Sequence, residues 1–182
     1  MSPSSPVKKA DATSGWADQP GIVVIGVGNE LRGDDALGPI IVRMLKEHPV
    51  SGVAYLEQSG EGASLIELWR GHSAAIIVDA FSSGSAPGIV HVLNASITEI
   101  PQHLFTSSSH TFGVAQAIEL SRRLDLLPRT TILCGIEGKS FVAGEMLSHP
   151  VRQQLTELLE IVERTLHELL IEQHLHHLSD PL

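Results

Sequence analysis

Cysteine is all but missing from this chain: Cys134 is the only one. A single thiol forms neither an internal disulfide nor a cysteine-built zinc knuckle, and it suits a reducing compartment. Positive charge is scarce as well. Lys plus Arg is 12 against 21 for Asp plus Glu, a formal charge of −9. No Lys/Arg cluster is dense enough to follow a phosphate backbone, which argues against nucleic acid as a partner. No uncharged apolar run approaches the ~20 residues needed to span a bilayer. Lys8 and Lys9 are followed by no apolar stretch, so no secretory signal is expected. There is no internal repeat and no Gly-x-Ser-x-Gly elbow. Gly26-Val27-Gly28 opens like a dinucleotide fingerprint, but Leu31 stands where its third glycine belongs. The expectation left by these absences is a soluble, cytoplasmic protein without a membrane or nucleic-acid partner.

What is present is punctuated apolar sequence. A chain of 182 residues suits one domain with a substantial core. Residues 1–20, rich in Ser and Pro, are expected to form a mobile leader, with the domain over 21–178 and a short tail over 179–182. Continuous β-branched or apolar runs over 21–28, 74–80 and 130–136 suggest strands buried on both faces. A shorter strand is expected over Val53 to Leu56, and another over Ile89 to Leu93, the latter a candidate antiparallel edge. Between them, helical spacing appears at Ile40, Ile41, Met44 and Leu45, and at Leu65, Ile66, Leu68 and Trp69. It returns after His110, ending near Leu127-Pro128, and in one long final helix from Val151 through Leu170. Alternating strands and helices imply an α/β, single-domain, three-layer sandwich. Its twisted, mostly parallel sheet is flanked by helices on both faces.

Three places put a polar group at a strand end or helix start: Asp34/Asp35 after the first strand, Asp79 at the end of the third, and His110 ahead of a later helix. In a parallel sheet these positions share the carboxyl rim, where such folds bind ligands. Two carboxylates and an imidazole suit a divalent transition metal with open positions, or general acid and base roles. Plainer roles stay open. Asp35 is placed to cap a helix, Asp79 to cap a turn, and His110 to be an ordinary first-turn residue. Cys134 lies within an apolar strand and is expected to be a buried thiol rather than a nucleophile. His167, His174, His176 and His177 are expected to face solvent near the end of the last helix.

Gly26-Val27-Gly28-Asn29-Glu30-Leu31-Arg32-Gly33-Asp34-Asp35 resembles the G-x-G-N-x-L-x-x-D-D signature of the hydrogenase maturation proteases. Val78-Asp79-Ala80 resembles that family's second motif and Ser109-His110-Thr111-Phe112-Gly113 its third. Gly135-Ile136-Glu137-Gly138 is similar to a segment of one branch. The resemblance runs from about Gly21 to Val151. Ala36 departs from it, where glycine often follows the acidic pair.

The resemblance implies an endopeptidase that removes a C-terminal extension from the nickel–iron hydrogenase large-subunit precursor after nickel insertion. It implies that Asp35, Asp79 and His110 form the catalytic and metal-contacting triad. Nickel is then expected to arrive with the precursor rather than as a resident cofactor. Two mechanisms fit: the metal or an activated water polarises the scissile carbonyl, or the two aspartates act as an aspartic-type acid/base pair. The protein is expected to act as a monomer. The rival reading is a non-catalytic nickel-sensing chaperone that binds the same precursor.

Overall fold

A computed structural model describes residues 21–101 and 112–179, with side chains to residue 175. The expected leader lies outside the described residues. One five-stranded sheet organises the rest, in the order β2-β1-β3-β5-β4. Its strands are β1 (Ile22–Val27), β2 (Val53–Gln58), β3 (Ala74–Phe81), β4 (Val90–Asn94) and β5 (Thr130–Glu137). The pairings β1–β2, β1–β3 and β3–β5 are parallel, and β4 closes one edge antiparallel to β5.

Side chains alternate across the sheet, as the pleat requires. Val23, Ile25, Val27, Ala75, Ile77, Phe81 and Leu133 face one core, with Leu65, Trp69, Val114 and Ile118 from α2 (Gly62–Trp69) and α3 (Val114–Arg123). Ile22, Val24, Ile76, Val78, Cys134 and Ile136 face the other. There they meet Leu37 and Ile41 of α1 (Leu37–Lys46) and Leu158, Val162 and Leu166 of α5 (Leu155–Ser179). The three layers are therefore as expected. No helix among the described residues is long and apolar enough to cross a membrane.

Two expected boundaries shift. The helix after His110 ends at Arg123, ahead of Leu127: Asp125 takes a left-handed φ of 54° and Leu126 N–H bonds back to the Ser121 carbonyl at 2.8 Å. Leu126 and Leu127 extend the apolar pattern only because they pack on the same core from a loop. The final helix is two: α4 (His149–Gln153) ends at Gln154 before α5 begins.

The chain reverses direction across the sheet at β1. The connection from β1 leads to β2 on one side, and the return from β2 passes to β3 on the other. The carboxyl ends of β1 and β3 thus flank a topological switch point, where a crevice opens between diverging connections. α1 packs unusually close beside it. A Cβ on Gly26 would stand 2.3 Å from the Gly38 carbonyl oxygen, and one on Gly38 would stand 2.3 Å from that of Val27. The glycine at position 26 therefore serves helix-to-strand contact rather than phosphate binding.

Candidate active site

Asp35 sits in a 3-10 turn, Gly33–Ala36, that joins β1 to α1. It does not cap α1: the N-cap position is Ala36 and no side chain closes that end. Instead its Oδ2 accepts the Asn29 backbone N–H at 3.1 Å, tying the carboxylate back across the turn. Gly28 makes room for it. With φ at +132°, Gly28 presents a face on which a Cβ would stand 1.9 Å from the Asp35 carbonyl oxygen and 3.3 Å from its Oδ1. Asp35 is half-buried.

Asp79 lies one strand away, near the end of β3. Gly26 of β1 pairs with Val78, so Asp79 begins where the pairing of the two strands stops. It alternates onto the side of the sheet covered by α2 and α3, is buried, and accepts the Ala80 backbone N–H at 2.7 Å through Oδ1. Burial pushes the Asp79 carboxyl well above the ordinary carboxylate range, and the negative charge of Asp35 pushes it further. The structure thus brings together two carboxyl groups 44 positions apart in sequence, one of them disposed to keep its proton.

His110 lies outside the described residues, as does the Ser107–Ser109 run. Phe112, two positions on, is described. Its carbonyl accepts the Gly62 N–H at 3.0 Å, where α2 starts just beyond β2. Among the described residues no cluster of three or more His, Cys, Asp or Glu is placed to hold a metal ion. The two carboxylates are hard oxygen donors of the kind that, with an imidazole, suits a divalent first-row metal.

Asp34, adjacent to Asp35 in sequence, has a different task. It is fully buried. Its Oδ2 accepts the backbone N–H groups of Lys139 and Ser140 at 2.7 and 3.0 Å and the Ser148 hydroxyl at 2.8 Å, while Oδ1 accepts the Ser148 N–H at 2.6 Å. It pins the 138–148 loop to the first turn. Glu137, also buried, has a comparable task at the end of β5, accepting the Ser83 hydroxyl at 2.8 Å and the Gly84 N–H at 2.9 Å. That holds the turn leaving β3, just after Asp79. Neither role was visible in the sequence, because neither has a local partner. Gly135 and Gly138 around Glu137 were the only hint.

Of the remaining candidates, the side chains of His176 and His177 lie outside the described residues. Cys134 is buried, and desolvation pushes its thiol up to about 12, which disfavours the nucleophilic thiolate. His167 and His174 face solvent. A depression of about 1080 Å³ opens at the opposite rim, lined by Gly21, His72, Ser73, Pro128 and Gln173, far from both aspartates along the strands.

Residues 40–165 match the family described as hydrogenase maturation protease, a span that includes Asp79 and begins just after Asp35. The chain is 31% identical over 152 residues to the hydrogenase 2 maturation protease of Escherichia coli, covering 81% of this chain and 91% of that protein. Among solved structures, it is similar to an endopeptidase from Escherichia coli (TM-score 0.71, 28% identity, 81% of this chain and 92% of that one). It is also similar to the hydrogenase maturating endopeptidase HybD of Escherichia coli (TM-score 0.63, 27% identity, with the same coverage).

Proposed function

The chain belongs to the hydrogenase maturation protease family and is a peptidase, and on that premise we propose that it removes the C-terminal extension of a nickel–iron hydrogenase large-subunit precursor after nickel has been inserted. It does so in the cytoplasm, as a monomer, with residues 21–178 as the working domain. The observation that carries this reading is the meeting of Asp35 and Asp79 at the switch point, with a carboxyl group that burial and a neighbouring charge dispose to hold a proton.

In this account Asp35, Asp79 and His110 form the site. Nickel belongs to the substrate: it arrives in the precursor and marks it as ready for trimming. The carboxylates and the imidazole would contact it, Asp79 releasing its proton to solvent on doing so, and would set the precursor's tail against the rim. The chemistry such a metal would supply is polarisation of the scissile carbonyl, directly or through a water bound to it. A second reading is favoured by the raised Asp79: a protonated carboxyl beside a second carboxylate is the arrangement by which aspartic peptidases share one proton between acid and base. Both readings rely on Asp35 and Asp79 for the cut, and only the first gives His110 a part in it.

Replacing Asp35 or His110 with Ala should leave the fold intact by circular dichroism while abolishing the size shift of a nickel-loaded precursor on a denaturing gel. Normal trimming by both variants would refute the site. A wild-type chain that binds the precursor tightly and never shortens it would favour the chaperone reading.

A further inference from the structure

Beside the candidate site stand three large apolar side chains with little cover. Leu31 is 70% exposed, Val142 57% and Met146 83%. Scattered exposed apolar residues are ordinary, but a cluster beside a site is not. These three lie on two adjoining loops sewn together by backbone hydrogen bonds: Gly144 N–H to the Leu31 carbonyl at 2.8 Å, Gly33 N–H to Glu145 at 3.1 Å and Asp34 N–H to Ser140 at 2.8 Å. Asp34 locks the second loop from beneath with four further bonds. The first loop is held from outside by Glu30, paired with Arg43 of α1 at 2.5 Å. The patch is therefore preorganised, and covering it costs little ordering entropy.

We propose that Leu31, Val142 and Met146 form the docking surface for an apolar segment of the protein substrate, next to the bond that is cut. The inference rests on the peptidase reading of the Asp35/Asp79 site. Its occupant follows from continuity. Leu31 and Asp35 belong to one tight turn, closed by Arg32 N–H to Asn29 and Asp35 N–H to Arg32 at 3.0 and 3.2 Å. A polypeptide seated at Asp35 is thus within four residues' reach, along one turn, of Leu31 and the loop bonded to it. The two adjacent acids divide the work: Asp34 turns inward and fixes the docking loop, and Asp35, half-buried, is left to the site. The matching substrate chemistry is a stretch bearing large apolar side chains for these three positions, flanked by polar groups that can meet the exposed Glu30, Lys139 and Glu145 on the same loops.

The test is steady-state trimming of a nickel-loaded hydrogenase large-subunit precursor that the wild-type chain cleaves, comparing the wild type with the triple variant Leu31→Ser, Val142→Ser, Met146→Ser. Removing binding that is equal in the ground and transition states should raise KM about tenfold while kcat changes less than about twofold. A control variant, Ile171→Ser with Leu175→Ser, removes exposed apolar side chains from α5 near the opposite rim and should leave KM unchanged. An unchanged KM in the triple variant, or a fall in kcat alone, overturns the inference. So does a change in oligomeric state by light scattering with KM unchanged, which would assign the patch to a second copy of the chain. A wild type that cleaves no such precursor overturns the peptidase reading itself, and is told apart by failing before any variant is compared.

Discussion

At the scale of single residues, the informative contrast is between Asp34, Asp35 and Asp79. Asp79 was legible in the sequence because a carboxylate at the end of an Ile-Ile-Val run has few ways to be tolerated. The division of labour between Asp34 and Asp35 was not legible, because the partners of Asp34 lie 105, 106 and 114 positions away. Periodicity and spacing report on near neighbours alone. The raised Asp79 carboxyl has a consequence for stability. Below the ordinary carboxylate range, both the folded and unfolded chains hold this proton. As pH rises through that range the unfolded chain releases it while the folded chain keeps it, so stability falls until the folded group ionises too. Asp79→Asn removes this penalty. It should raise the melting temperature at pH 7, and the gain should fade as pH drops below the ordinary carboxylate range. An equal gain above and below that range would show that burial of charge is not the cause. On the proposed function the same variant should be inactive, which would make Asp79 a residue kept at the expense of the fold.

At the scale of elements, strands were read well and helix ends less so. β1, β3 and β5 announce themselves because both faces are largely buried and their positions are mostly apolar, with Asp79 and Glu137 the charged exceptions near the strand ends. The early end of α3 at Arg123 was hidden by Leu126 and Leu127, which keep the helical apolar rhythm from within a loop. The break at Gln154 between α4 and α5 left no sequence mark, since neither glycine nor proline stands there. The 138–148 loop shows why an irregular segment can be rigid: its backbone N–H groups converge on one buried carboxylate. Asp34→Ala would leave the N–H groups of Lys139, Ser140 and Ser148 without their acceptor. The expected cost is about 3–5 kcal/mol, measured by urea unfolding, with new proteolytic cuts concentrated between residues 138 and 148. A loss under about 1 kcal/mol, with the loop still resistant, would mean that solvent readily replaces Asp34.

At the scale of the whole molecule, the three-layer architecture followed from alternation of element types, and the shared carboxyl rim followed from parallel strands. The strand order β2-β1-β3-β5-β4 did not, because apolar patterning says that a strand is buried and not which neighbour it has. That order is what makes β1 and β3 adjacent and brings two distant aspartates to one rim. Family membership then joins the rim to a reaction, and the proposal that nickel comes with the substrate makes the reaction conditional. The most direct measurement is the intact mass of a large-subunit precursor after incubation with the wild-type chain, once loaded with nickel and once free of it. The account predicts a mass lower by one C-terminal peptide in the loaded sample and an unchanged mass in the other. A loaded precursor that keeps its full mass, or a nickel-free one trimmed just as fast, would contradict it.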